Sequence, residues 1–248
     1  MKIRFASAVA VLSLVLAGCA SQPQHAVELT PASLTPQSGR VGVVMTVLPK
    51  VNTFFPGADC LLCLVGAEMM NSSLSAHTKT LTHEDLPTLK DQAAELLRKS
   101  GVNVVVIGDQ LDLDSLPSSS AQGLNIAKKD FSSLSQKYTV DKLMVFSIDL
   151  VGFVRNYSAY IPNGAPKATL RGTGYMVNLK TNAYEWYRTV NTTRAASGAW
   201  DEPTAFPGLT NAYFQVLEVG KDEFLNPLAA SVKTAQAPEA ATPAVAAK

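Results

Sequence analysis

Runs and alternations of apolar residues between positions 40 and 232 predict the secondary structure of one domain. Apolar, β-branched segments typical of strands lie at 40–48, 102–107, 143–154, 169–179 and 183–190. Apolar residues at helical spacing predict helices at 60–77, 85–100, 130–138 and 210–232. The order β-α-α-β-α-β-β-β-α favours an α/β (α+β) fold, in which a single mixed sheet of about five strands is covered by helices.

Two local patterns refine this picture. The segment at 60–77 is apolar on nearly every side, which predicts a mostly buried helix. The last two strands are joined by the three residues 180–182, which predicts a β-hairpin. Gly172 and Gly174 lie within the first of these strands and lack the strand-to-helix context of a dinucleotide loop, so they indicate close packing or a bulge.

The first 18 residues have the layout of a cleaved export signal. Basic residues precede an apolar run at 5–16, which is shorter than the roughly 20 residues of a membrane-spanning helix. The run ends in Leu-Ala-Gly-Cys, which resembles the lipobox of bacterial lipoproteins. This resemblance implies that residues 1–18 are removed and that Cys19 carries lipid. Because Ala20 and Ser21 follow Cys19 where an aspartate would favour inner-membrane retention, the resemblance implies lipid anchoring to the outer membrane, facing the periplasm.

The segments that flank the domain at 40–232 are expected to be flexible. Residues 19–39 are mostly polar, and their few apolar residues follow no helical or strand period, which predicts a lipidated tether with a reach of roughly 25 Å. Residues 233–248 are rich in Ala and Pro, which predicts a disordered tail.

The charge balance argues against two classes of partner. The chain has 21 Lys and Arg against 20 Asp and Glu, so it lacks the basic excess of a nucleic-acid-binding protein. No block of five like charges occurs along the sequence, so a polybasic attraction to lipid headgroups is not expected either.

Two cysteines remain beside Cys19, in the sequence Cys60-Leu-Leu-Cys63. In an exported protein this pair favours a disulfide. A redox-active pair at the start of a helix is an alternative. With His77 and His83, the pair also fits a zinc spacing, C-x2-C-x13-H-x5-H. A continuous helix from Cys63 to His77 would separate its ends by roughly 21 Å, too far for one ion, so we expect no metal site.

Motifs of catalysis are missing from the sequence. It contains no G-x-S-x-G, no P-loop and no H-E-x-x-H, which favours a protein that is not an enzyme and that needs no cofactor.

Aromatic residues in two turn-rich loops, at 156–166 and 200–207, mark candidate contact surfaces. Protein interfaces are enriched in Tyr and Trp, so Tyr157, Tyr160 and Trp200 are the candidate partner-binding residues. The alternative is that these loops fold back over the edge of the sheet, and the sequence leaves both interpretations open.

The order and pattern of the segments at 40–48, 101–109, 141–152 and 168–187 resemble the small α/β domain of envelope lipoproteins such as LpoB, PelC and the CsgG group, and of the amino-terminal domain of TolB. This resemblance implies a membrane-anchored periplasmic binding or assembly protein, accessory to a machine of peptidoglycan synthesis or of polysaccharide or protein export. It also implies an envelope protein as partner, with homo-oligomerisation as a further option. The alternative function is a periplasmic thiol-disulfide oxidoreductase that uses Cys60 and Cys63.

Overall fold

Residues 23–236 are the part of the chain that the computed structural model describes. The strands are β1 (Val41–Met45), β2 (Asn52–Phe54), β3 (Val104–Val106), β4 (Lys142–Val154), β5 (Tyr157–Ser158), β6 (Ile161–Pro162), β7 (Lys167–Asn178) and β8 (Tyr184–Ala195). The α-helices are α1 (Leu61–Met70), α2 (Ser72–Thr78), α3 (Leu89–Lys99), α4 (Ser133–Tyr138) and α5 (Pro207–Gln236). Short 3-10 helices span Pro31–Leu34 and Leu86–Thr88.

The main sheet is mixed, as the sequence predicted. Five strands lie side by side in the order β3-β1-β4-β7-β8, and the short β2 also pairs with β4. β1 runs parallel to β3 and β4, whereas β4, β7 and β8 form an antiparallel meander. The predicted fold class, a mixed sheet of about five strands covered by helices, and the predicted hairpin are therefore confirmed.

Alternation along the strands sends side chains into two cores, one on each face of the sheet. On one face, Val43 and Phe146 pack in the cluster that includes α3 and α5. On the other, Val44 and Val145 pack with Phe131, which precedes α4, and with the loop that follows β3. Because both faces of β1 and β4 are covered, these strands are apolar at nearly every position.

Gly174 shows why a glycine is needed within a strand of this sheet. A Cβ atom at Gly174 would lie 2.6 Å from the Trp186 ring and 3.1 Å from Phe224 of α5. A Cβ atom at Gly172 would likewise lie 2.5 Å from the Ser147 carbonyl oxygen. The close packing predicted for these two glycines is confirmed.

The helical region between β2 and β3 differs from its prediction. The single helix predicted at 60–77 is interrupted at Asn71, where the backbone leaves helical geometry, and it continues as α2. The next helix begins at Leu89 instead of at 85, because Pro87 lies within a preceding 3-10 turn. Strands β5 and β6 lie in the loop predicted at 156–166, and β2 lies in a segment outside the predicted strands and helices.

The described part of the predicted tether is packed against the domain, so the expectation of a free tether is corrected from residue 23 onwards. Val27 forms a backbone bridge with Tyr187 of β8, and Leu29 and Leu34 are buried in the core. The Ser231 hydroxyl of α5 donates to the Leu29 carbonyl. The scattered apolar residues of this segment are thus core residues, which no period along the sequence could reveal.

Residues 1–22 and 237–248 lie outside the described part of the chain. The predicted signal peptide, the lipidation site Cys19 and most of the predicted tail belong to them. Within residues 23–236, no helix combines the length and the apolar character needed to cross a membrane.

Candidate protein-contact surface at helix α1

Helix α1 begins at the cysteine pair. Cys60 and Cys63 form a disulfide, and Cys60 occupies the position before the first helical residue. The Cys60 Sγ atom accepts a hydrogen bond from the Cys63 backbone N–H at 2.9 Å, which satisfies one of the amides that a helix start leaves without a partner. The disulfide therefore fixes where α1 starts.

Only a narrow stripe of α1 faces the protein. Cys63 and Ala67 are buried against Ala58, Tyr157 and Phe55 in a small satellite core. The remaining apolar side chains of α1 face solvent, and they are Leu61, Leu62, Leu64, Val65, Met69 and Met70. The expectation of a mostly buried helix is therefore wrong, because small residues form the buried stripe and large ones the exposed surface.

The β5-β6 hairpin extends this exposed surface. Tyr160 and Ile161 are both mostly exposed, and the Tyr160 hydroxyl lies 3.7 Å from Cys60 Sγ. We call the six exposed side chains of α1 together with Tyr160 and Ile161 the apolar patch. Its members are exposed by 39–79%, which adds up to an area on the order of several hundred Å², more than isolated surface hydrophobics account for.

Tyr157 is the first residue of the β5-β6 hairpin, and it is buried. Its side chain is 4% exposed and packs edge to face on Phe55, with ring centroids 5.8 Å apart. Asn71 Nδ2 donates to the Tyr157 hydroxyl at 2.7 Å and to the Ala67 carbonyl at 2.7 Å, and Arg155 Nη1 donates to Asn71 Oδ1 at 2.8 Å. The prediction that Tyr157 contacts a partner is thus corrected, because the residue belongs to the core.

Trp200 is half-buried against the main core and is not an exposed anchor either. Its ring stacks on Phe206, with centroids 6.4 Å apart and planes nearly parallel. The Arg155 guanidinium lies 4.7 Å from the centre of the Trp200 ring, within cation-π distance. Of the three aromatic residues proposed from the sequence, Tyr160 alone lies in the apolar patch, beside the cysteine pair.

The charged residues in the segments that carry the apolar patch are acidic. Among residues 59–70 and 157–162, which carry the patch, Asp59 and Glu68 are the charged residues. A surface of this size with so few charges resembles the apolar centre of a protein interface.

The four residues of the zinc spacing do not converge. The disulfide occupies both thiols, His77 Nε2 lies 2.7 Å from the Thr210 hydroxyl, and His83 Nε2 lies 2.7 Å from the Pro49 carbonyl oxygen. Partial burial lowers the pKa of His77 below its ordinary value. Within residues 23–236, no three or more His, Cys, Asp or Glu side chains gather in a way that could hold a metal ion.

Comparisons with known proteins give likenesses of low degree. No protein-family model and no curated protein matches the sequence. A PelC dodecamer from Paraburkholderia phytofirmans is similar with a TM-score of 0.36 and 10% identity, over 82% of this chain and 94% of PelC.

Two further solved structures are similar to the same degree. Lipoprotein GNA1162 from Neisseria meningitidis has a TM-score of 0.30 and 10% identity, over 72% of this chain and 98% of that one. The hypothetical protein CT253 from Chlamydia trachomatis has a TM-score of 0.34 and 6% identity, over 79% and 98% of the two chains. TM-scores below 0.5 carry no argument about function, so the apolar patch has to be interpreted from its own residues.

Sequence reasoning missed the leucines and methionines of α1 as surface residues. A helix that is apolar all round is expected in a core, so the pattern alone points the wrong way. The available signal was the spacing of Cys63 and Ala67, four residues apart, since it leaves the buried stripe small and the large residues outside it.

Proposed function

We propose that this protein is a membrane-anchored lipoprotein of the cell envelope that binds another envelope protein through the apolar patch. The observation that carries the proposal is the exposure of six large apolar side chains on α1, a helix that begins at a disulfide and is joined to the domain by the buried hydrogen bonds of Asn71. Such a surface contributes free energy to association without ordering a flexible loop first. Binding, rather than catalysis, is the function that this arrangement supports.

The charges around the patch favour a protein partner over a lipid surface. Helices that lie in a membrane interface carry Lys or Arg beside the apolar face, whereas the segments of the patch carry Asp59 and Glu68. A two-fold contact between copies of α1 would bring carboxylates of both copies near each other. The partner that fits is a different protein, with an apolar centre and basic residues around it.

Charge substitutions within the patch test this proposal. Leu62→Glu and Met69→Glu should each reduce the affinity of the partner at least about thirtyfold, because a carboxylate would be desolvated at the centre of the contact. The matched control is Leu124→Glu, which changes an exposed leucine in the loop between β3 and α4, outside the patch.

The outcome is measured as co-purification of one defined envelope protein and as the thermal stability of each variant. Loss of the partner with both patch variants, with an unchanged melting temperature and with normal recovery from Leu124→Glu, supports the proposal. Equal recovery from all three variants, or loss with Leu124→Glu as well, contradicts it.

Lipid anchoring through Cys19 is the second part of the proposal. It rests on the Leu-Ala-Gly-Cys sequence and on its resemblance to a lipobox, and the residues after Cys19 favour the outer membrane. Cys19→Ala should leave an unprocessed precursor without label from a fatty-acid analogue. Normal labelling of that variant would contradict the lipidation of Cys19. Fractionation of the wild-type protein tests whether it is anchored to the outer membrane.

A thiol oxidoreductase is the second candidate function, and one observation favours it. Cys60 is exposed at the start of α1, whereas Cys63 is only 3% exposed, so one sulfur is accessible and the other protected. In the reduced form, Cys60 would attack a substrate disulfide and form a mixed disulfide with one substrate sulfur. Cys63 would then attack Cys60 Sγ, which re-forms the Cys60–Cys63 disulfide and leaves the substrate with two thiols.

The two candidates are distinguished by Cys60→Ser together with Cys63→Ser. If binding is the function, this double variant retains the partner when α1 stays folded, and the wild-type protein does not accelerate insulin reduction by dithiothreitol. Catalysis of insulin reduction that requires Cys60 would favour the oxidoreductase.

A further inference from the structure

A cavity of about 490 Å³ lies over the sheet at β7 and β8, away from the apolar patch. No residue of the patch lines it. Its polar lining consists of three tyrosines, two lysines, three Ser or Thr hydroxyls and one glutamine, among them Tyr175, Tyr184, Tyr187, Lys128 and Gln24. The volume is within the range of about 300–1,000 Å³ that is typical of small-molecule sites.

The strand register brings the three tyrosines together. Tyr175 of β7 lies directly opposite Tyr187 of β8, so both point to the same face of the sheet. A register shift after Met176 then places Tyr184 opposite Val177, and this irregularity turns Tyr184 to that face as well. The ring centroids of Tyr184 and Tyr187 are 5.0 Å apart, and that of Tyr175 lies 5.5 Å and 6.2 Å from them.

Tyr175 is a polar residue without a polar partner. It is 5% exposed, and its hydroxyl forms no hydrogen bond with any of residues 23–236. Burial, with a smaller contribution from the neighbouring Tyr184 and Tyr187, raises its pKa well above the ordinary value. Burial likewise raises the pKa of Tyr184 to about 12, so both phenols stay protonated and can donate. Because Tyr175 lines the cavity and its hydroxyl bonds to no residue of 23–236, that hydroxyl is available to exchange a hydrogen bond with a ligand.

The composition of the cavity matches one ligand chemistry. A sugar ring has flat C–H faces, which pack on aromatic rings, and a rim of hydroxyls, which exchange hydrogen bonds with phenols, hydroxyls and amides. A purely apolar ligand would leave the Tyr175 hydroxyl without a partner. Lys128 is exposed at the lining and has no ion pair within the described part of the chain, so it is available to an acidic substituent.

We propose that this cavity is a carbohydrate-binding site, in which the rings of Tyr184 and Tyr187 pack on a sugar and Tyr175 hydrogen bonds to it. The site is separate from the protein-contact function proposed for the apolar patch. A domain with both would hold its protein partner and a glycan of the envelope at the same time.

The test titrates the full-length lipoprotein, in a detergent without a sugar headgroup, with tri-N-acetylchitotriose and with trigalacturonic acid. Isothermal titration calorimetry should show saturable binding of at least one of the two. Tyr184→Leu and Tyr187→Leu should each weaken that binding about tenfold or more. Tyr160→Leu, which changes an exposed tyrosine of the apolar patch, should leave it unchanged.

Tyr175→Phe separates a role in binding from a role in folding. Removing a hydroxyl that has no protein partner should leave the melting temperature equal or higher, while glycan affinity falls several-fold. The assignment is overturned if neither trisaccharide binds, or if Tyr184→Leu and Tyr187→Leu bind as well as the wild type. It is also overturned if a peptide of residues 237–248, an Ala- and Pro-rich segment that could occupy an aromatic groove, binds there in place of the sugars.

Discussion

Asn71 joins three parts of the structure beneath the apolar patch, and Asn71→Ala tests how that patch is held. The side chain is 2% exposed, and it hydrogen bonds to the Ala67 carbonyl, the Tyr157 hydroxyl and the Arg155 guanidinium at 2.7–2.8 Å. The first partner belongs to α1, the second belongs to the β5-β6 hairpin, and the third, Arg155, directly follows β4. Alanine would remove all three side-chain bonds. The Ala67 carbonyl would still accept from the backbone N–H of residue 71, whereas the Tyr157 hydroxyl and Arg155 Nη1 would each lose this partner.

The magnitude follows from the number and kind of these bonds. A neutral hydrogen bond contributes about 1 kcal/mol net, and one to a charged group about 1.5–3 kcal/mol. Because the Ala67 carbonyl keeps its bond to the backbone N–H of residue 71, the main losses are the bonds to Tyr157 and Arg155, and Asn71→Ala should lower the free energy of unfolding by about 3 kcal/mol. For a protein of this size, each kcal/mol corresponds to about 2–4 °C, so the melting temperature should fall by about 6–12 °C.

Two conservative variants make the test specific. Tyr157→Phe removes one hydroxyl and leaves Asn71 bonded to the Ala67 carbonyl, so it should cost about 1 kcal/mol. Tyr160→Phe changes an exposed tyrosine and should stay within about 0.5 kcal/mol of the wild type. The variants are compared by chemical denaturation monitored by circular dichroism. An Asn71→Ala protein as stable as the wild type would refute the assignment of Tyr157 and Asn71 to a structural network.

Two further predictions concern stability. Because burial lowers the pKa of His77, the unfolded chain takes up its proton more readily, so stability is present above the ordinary value of 6.5 and is lost as pH falls through the lower, folded value. Between pH 7.5 and 5, the melting temperature should fall less for His77→Gln, whose amide can still bond to Thr210, than for the wild type. An equal fall in the two proteins would contradict this. Gly57→Ala should destabilise the protein by more than about 1 kcal/mol, because Gly57 has a φ of +87° and its Cβ would lie 2.0 Å from the Tyr157 carbonyl oxygen. Gly66 lies in α1 with open space where a Cβ atom would lie, so Gly66→Ala should instead stabilise the protein by up to about 1 kcal/mol. If denaturant titrations show Gly57→Ala to be more stable than Gly66→Ala, this explanation of the two glycines is wrong.

The parts of the fold that the sequence predicted are those with a local signal. β4 and β7 are long strands rich in apolar residues, and a short turn joins β7 to its hairpin partner β8. The amphipathic α3 was predicted within a few residues for the same reason, since its buried stripe repeats at helical spacing.

The parts that the sequence missed depend on contacts far along the chain. Tyr157 is buried by Asn71, 86 residues away, and Leu29 is buried beside α5, 202 residues from Ser231. The tyrosine cavity requires a strand register and a bulge that no spacing within one strand encodes. The burial of helix α1 was wrongly predicted because an exposed apolar helix and a core helix can have the same apolar composition.

The most direct test of the central claim, that the apolar patch contacts a protein partner, is site-specific photo-crosslinking in intact cells. A photoreactive residue replaces Leu62, which is 70% exposed in the patch, or Leu124, which is 82% exposed elsewhere. The account predicts one discrete adduct from position 62, with an envelope protein other than this chain, and none of that adduct from position 124. An adduct with lipid alone, an adduct with a second copy of this chain, or identical adducts from both positions would contradict it.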